Sequence, residues 1–216
     1  MGFIRQNARA KKPFFVEYWP NLIALAKAYP KKKTLAGTMV SEEMQALDAF
    51  VGKLTNELKA LGIADNTLVV AMADNGPMVH SPPPSFGMLS LMYRGGKGDF
   101  LEGGVRVPAF ASWPGVIDQG QTVGDIVHVT DLYTTFARLA GATQHIPTDR
   151  VIDGIDQTAL LLKGEHHGRR DYVYIYENEI LRSVVKQEFK MHVPAPGVPG
   201  AAAPVFNLFR DPREEQ

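Results

Sequence analysis

The chain has 216 residues, 45% of them apolar, and its 23 Lys plus Arg balance 23 Asp plus Glu to a formal net charge of zero. That is enough apolar matter for a large domain, and the charge balance argues against a broad electrostatic surface for nucleic acid or an anionic membrane. There is no cysteine, so disulfides, thiolate metal sites, iron–sulfur clusters and a cysteine nucleophile are excluded; no apolar run is long enough for a membrane-spanning helix, and the basic start MGFIRQNARAKK lacks the apolar stretch of a secretory signal.

In chain order, KKPFFVEYW reads as a short strand, aromatic and β-branched after a basic lead. NLIALAKAYPKKKTLAGT is ambiguous, a short helix stopped before Pro30 or a loop, and the Lys31–Lys33 run is most simply solvated. The next element is a helix. Ser41 can cap it, Glu42 and Glu43 suit its first turn, and Met44, Leu47, Val51, Leu54, Leu58 and Leu61 recur at spacings of three and four up to Gly62. A strand is predicted over Thr67–Ala73, and LVVAMA has the continuous apolar character of a strand covered on both faces. Strand, helix, strand in that order fits a right-handed crossover in a parallel sheet. A further strand is predicted over Val105–Ser112, an apolar strand at DIVHVT with Thr130 capping the helix after it, and short strands at DYVYIYE, ILRSVVKQ, FKMHVP and VFNLF, the last two separated by the loop PAPGVPGAAAP.

Two stretches carry chemistry. Asp74 and Asn75 follow the most apolar strand, where an open α/β sheet places its ligands. A carboxylate and an amide oxygen are hard-cation donors, while an Asn-Gly pair is also an ordinary turn. Two ligands are too few to hold an ion alone. The second stretch, YRGGKGDFLEGGVRVPAFASWPG, crowds five glycines around Lys97, with Arg94, Asp99, Glu102 and Arg106 nearby. Glycine lets backbone approach a ligand closely and a lysine offers a movable cation for an oxyanion; a flexible surface loop is the other reading. GGKGD is a poor match to a phosphate loop, lacking the first spaced glycine and the Ser/Thr after the lysine. His128 reads as a hydrogen-bonded core histidine, and GEHHGRR as a solvated loop rather than a metal clip.

Taken together, LGIADNTLVVAMADNGP followed by YRGGKGDFLEGGVRVPAFASWPG resembles the sulfatase family, within the alkaline phosphatase superfamily. KPFFVEYWP, IVHVTDLYTTFARLAGA, IDGIDQTALLLKGE and the closing VFNLFRDPREEQ extend the likeness over nearly the whole chain. The resemblance implies an α/β fold, part of a mostly parallel alkaline-phosphatase-like sheet sandwiched by helices, over residues 1–165. A small C-terminal antiparallel α+β subdomain is implied over residues 166–216. The implied activity is sulfuric ester hydrolysis on a sulfated small molecule or saccharide. Asp74 and Asn75 map onto two ligands of a calcium (in some members magnesium) ion, and Lys97 onto the lysine that contacts a sulfate oxygen. Family members imply a periplasmic or secreted location.

Three departures temper the likeness. The family's nucleophile is a formylglycine made from Cys or Ser in a C/S-x-P-S-R motif; here SPPPS at Ser81–Ser85 lacks the arginine and follows the DNG stretch. The N-terminal acidic metal ligands do not map either, which fits the C-terminal half of a sulfatase completed by a missing N-terminal half. Where the family places a sulfate-binding histidine, this chain has Asn21, and no histidine precedes His80. His80 is a candidate for the pocket entrance. The alternatives to a sulfatase are a non-catalytic remnant that binds a cation or anion or packs on a partner, and a phosphodiester or phosphonate ester hydrolase of the same superfamily.

Overall fold

The computed structural model describes residues 1–20, 39–77, 92–194 and 202–216. The ambiguous segment after Asn21, the Lys31–Lys33 run, SPPPS and most of PAPGVPGAAAP lie outside the described residues. The chain divides into two compact units, one built mainly from residues up to 69 with the return 112–115, the other from residues 70–77, 92–111 and 116 onward.

Among the described residues of the first unit, α1 (Gly2–Arg9) and α2 (Met39–Ala60) are the α-helices. The three-and-four apolar spacing does produce α2, with Leu58 buried on it. The helix begins two residues before Ser41 and ends as Gly62 demands. Gly62 takes a φ of +67°, and the Ile63 N–H reaches back 3.1 Å to the Leu58 carbonyl. Arg5 forks onto Glu57 with N–O distances of 2.6 and 2.7 Å. Tyr18 stacks on Phe50 at 4.6 Å and Phe14 meets Phe3 edge-on at 6.5 Å. The strand expected over KKPFFVEYW is not formed; residues 12–20 are irregular, with Phe15 and Trp19 largely exposed. Aromatic and β-branched content favours a strand only when a neighbour supplies the ladder bonds, and these residues have none among the described strands.

In the second unit, β1 (Val69–Met72, with its first residue grouped in the first unit) pairs with β2 (Ala109–Ser112, likewise at its last). Phe110 is 70% exposed and all of β2 is open to solvent. The strand expected from Val105 starts only at Ala109, because Glu102–Val105 coils into one helical turn, α3. DIVHVT is likewise not a strand. Asp131, at the start of α4 (Asp131–Leu139), accepts the His128 N–H at 2.9 Å, a cap made by the helix's own first residue rather than by the Thr130 side chain. His128 is half-buried, its Nδ1 2.8 Å from the Thr130 hydroxyl. After α5 (Thr158–Lys163) come β3 (Tyr172–Glu177), β4 (Ile180–Lys186), β5 (Phe189–His192) and β6 (Val205–Asn207). They form one antiparallel sheet in sequential order, as expected for short strands joined by turns. Two-residue turns join β3 to β4 and β4 to β5, with Asn178 and Gln187 at positive φ.

The sheet's inner face carries Ile175 and Val185, which bury with Leu208 against Phe100, Ile126 and Val173. On its other face Tyr174 and Tyr176 stay exposed.

One buried ion pair ties three segments together. Asp131 has no solvent exposure, and Arg170, 39 residues later, clamps it at 2.6 and 2.8 Å. The Ile155 N–H donates to the same carboxylate at 2.8 Å, and Arg170 also donates to the Asp153 carbonyl at 2.7 Å. Burial by itself pushes the Asp131 carboxyl up, but the Arg170 hydrogen bonds and the Ile155 and His128 amides outweigh it and hold it below the ordinary carboxylate range. Breaking such a pair leaves one charge buried alone, so Arg170→Met should cost about 3–5 kcal/mol in urea unfolding. Because the folded-state carboxyl is depressed, its stabilisation is complete above the unfolded value of about 3.9 and fades as pH falls below it. Wild-type stability should therefore drop more steeply below about pH 4 than that of Asp131→Asn; equal slopes would contradict the assignment.

Candidate functional site

The residues singled out from sequence fall at one place in the second unit. β1 ends at Met72, and Asp74 and Asn75 follow within three residues. Asp74 is exposed and Asn75 half-buried. The Asn75 N–H donates to Asp74 Oδ1 at 3.0 Å, and Asn75 Nδ2 donates to the Gly76 carbonyl at 2.8 Å. Both bonds join adjacent residues, so the pair is held by local contacts within the stretch. These bonds engage the amide nitrogen and one carboxylate oxygen, and they do not use the amide oxygen or the second carboxylate oxygen. Those two oxygens fit a hard cation in type. Among the described residues no group of three His, Asp or Glu side chains is spaced to hold a metal, so the pair is at most part of a coordination shell.

The glycine-rich loop returns to this turn through its backbone. The Lys97 N–H donates to the Pro77 carbonyl at 2.7 Å, and the Gly76 N–H to the Gly104 carbonyl at 3.1 Å. The approach needs glycine. A Cβ on Gly76 would lie 1.8 Å from the Gly103 oxygen, and one on Gly104 would lie 2.2 Å from the Asp99 oxygen. The Lys97 side chain is exposed, and among the described residues no ion pair joins it to Asp74. Asp99 closes the loop from within, its Oδ2 accepting the Gly96 N–H at 2.8 Å. The structure thus brings Asp74, Asn75 and the Lys97 backbone together. Asn21 and His80 lie outside the described residues.

Behind the loop sits a cluster that sequence reading missed. Lys190 on β5 is 0% exposed, and its ammonium donates to the Phe100 carbonyl at 2.8 Å, to Glu102 Oε1 at 3.1 Å and to Glu214 at 3.3 Å. Glu214, the first glutamate of the closing DPREE, also accepts the Glu102 N–H at 2.7 Å and pairs its other oxygen with His192 Nε2. Its carbonyl takes the Arg94 guanidinium at 2.6 Å. Phe100 meets the His192 ring edge-on at 5.1 Å and lies 4.7 Å under the Arg182 guanidinium. The closing DPREE motif was visible as a signature; nothing in the sequence tied its acid to a lysine 24 residues earlier.

The two histidines of GEHHGRR are held in a loop, and among the described residues they belong to no group of three side chains able to hold a metal. Asp125 accepts the His166 and Gly168 N–H groups at 2.8 and 3.0 Å, and His167 Nδ1 lies 2.9 Å from the Glu165 carbonyl.

Comparison with known proteins identifies the family. The family model described as Sulfatase matches residues 41–142. A steryl-sulfatase of Rattus norvegicus is 41% identical over 146 residues, 66% of this chain and 25% of that protein. An N-acetylgalactosamine-6-sulfatase of Mus musculus is 34% identical over 196 residues, 89% of this chain and 36% of that protein. The crystal structure of the PsFucS1 sulfatase from Pseudoalteromonas sp. superposes with a TM-score of 0.82 at 34% identity, covering 100% of this chain and 46% of that one. The chain therefore shares the alkaline-phosphatase-like fold and spans about a third of the curated relatives it matches over most of its own length. Motif order, relatives and architecture converge, and the chain belongs to the sulfatase family.

Proposed function

We propose that the Asp74–Asn75 turn and the Lys97 loop form part of the active site of a sulfuric ester hydrolase. The observation that carries this reading is the backbone junction, Lys97 to Pro77 at 2.7 Å. It fixes the base of an exposed lysine two residues from a pair of hard-cation oxygens. One relative is named for a steryl sulfate and another for N-acetylgalactosamine 6-sulfate; the names share the sulfate and differ in the alcohol. The proposed substrate class is accordingly a sulfated small molecule or saccharide, with the organic part unassigned.

Cleaving a sulfate ester puts negative charge on the leaving oxygen and leaves it on the sulfuryl oxygens. A preplaced ammonium at Lys97 stabilises that charge without reorganising at the moment of reaction. Asp74 and Asn75 would hold calcium, or magnesium in its place, and the ion when bound supplies positive charge that polarises the sulfuryl group. Asn21 and His80 are proposed as further sulfate contacts. This sequence contains no Cys and no intact C/S-x-P-S-R motif, so the nucleophile and the remaining ligands would come from another segment or chain, and this chain supplies charge stabilisation rather than a complete site.

Three outcomes follow. The chain alone, with calcium and 4-nitrophenyl sulfate, should show no enzyme-like turnover; turnover that survives exhaustive purification would require a nucleophile this reading lacks. Calcium should bind weakly, because most of a six-to-eight-oxygen shell is missing, and Asp74→Ala should abolish that binding in calorimetric titration. Inorganic sulfate should perturb the Lys97 amide in NMR, and Lys97→Ala should weaken sulfate binding about tenfold, one lost charge-assisted contact being of that order. Calcium binding unchanged in Asp74→Ala would reduce ADNGP to a turn.

A further inference from the structure

We infer that Lys190 and Glu214 are positioning residues for the loop that carries Lys97. The functional meaning of this inference rests on the sulfate-site reading above, while its geometry does not. The contacts are directed at one short stretch. Lys190 grips the loop's far end through the Phe100 carbonyl and Glu102 Oε1. Glu214 grips the same end through the Glu102 N–H and the near end through Arg94, whose guanidinium sits 2.6 Å from its carbonyl. Lys97 lies between these two anchors in sequence, and its own N–H donates to the Pro77 carbonyl at 2.7 Å.

Stability alone is a poor reason for this arrangement. Two carboxylates and an ammonium, all nearly or wholly buried, give up hydration that apolar side chains of similar size would not need to replace. What charged groups provide and apolar ones do not is direction. Lys190 has three acceptors around one nitrogen, and both Glu214 carboxylate oxygens are engaged, one of them by His192. A hydrogen-bonded cluster of this kind admits one loop position, whereas an apolar patch tolerates sliding. The cluster also reverses the expected pattern on β5. Lys190 points in with 0% exposure, while Phe189 and Met191 point out at 45% and 38%. In this sheet the inward position facing the loop is given to the charge.

Hydrogen exchange by NMR on the full chain tests this, comparing wild type with Lys190→Met and with the isosteric Glu214→Gln. The expected result is at least tenfold faster exchange at the Lys97, Gly103 and Gly104 amides, with protection retained in the β3–β4 ladder. Titration with sodium sulfate should show the Lys97 amide shift needing about tenfold more sulfate in each variant. Unchanged loop exchange in a folded variant overturns the inference. So does a parallel loss of protection in loop and ladder, or unfolding of both variants, since either makes the cluster a general support of the sheet. If wild type gives no sulfate-dependent shift, the sulfate-site reading fails, and the exchange data still decide whether Lys190 and Glu214 position the loop.

Discussion

Residues 74–77 and the loop 94–104 meet backbone to backbone, and the proposed site depends on that contact. A single added carbon at Gly76 would fall 1.8 Å from the Gly103 oxygen, so no side chain can stand between the segments. Two hydrogen bonds cross the junction, from Lys97 to Pro77 and from Gly76 to Gly104. The strand end that offers oxygens and the loop that offers an ammonium are therefore fixed relative to each other by main chain. That is a firmer scaffold than side-chain packing, and it suits a site whose groups must converge on one sulfate.

The second unit buries charge in two places, one of them at this junction. The Lys190–Glu102–Glu214 cluster holds the loop from the side of the antiparallel sheet. Farther along the chain, Asp131 and Arg170 join the start of α4 to the segment before α5 and to the lead-in of β3. Both are buried ionic arrangements in which each charge has several hydrogen-bond partners, the condition under which burial of charge is tolerable. By contrast, the strands nearest the site are open, with Phe110 and Met72 exposed. Exposed apolar side chains on a strand pair are an adhesive surface.

Much of this was legible in the sequence, for physical reasons that can be named. The α2 spacing and its Gly62 stop are local properties, and the C-terminal strands are short β-branched and aromatic runs, the first three joined by short turns. Asp74 and Asn75 were found because an apolar run ended in polar residues. The strand expected at KKPFFVEYW and the early start of β2 failed because strand formation depends on partners and packing outside the window. At Glu102–Val105, two glycines that look like loop residues are instead buried in a helical turn against other main chain. On β5 the strand was read from FKMHVP but not which side chains it buries, and the structure turns Lys190 inward while Phe189 and Met191 stay exposed. The acids that explain this burial, Glu102 and Glu214, lie 88 and 24 residues away in sequence, beyond the reach of any local pattern.

The central claim is that the Asp74–Asn75 oxygens and Lys97 belong to one site. Titration of isotopically labelled chain with manganese(II), a paramagnetic stand-in for calcium, tests it most directly. The account predicts that the Asn75, Gly76, Gly96 and Lys97 amides broaden together at the lowest manganese concentrations, and that Asp74→Ala removes the effect from all four. Broadening centred elsewhere, or confined to Asn75 and Gly76 while Lys97 stays sharp, would contradict it.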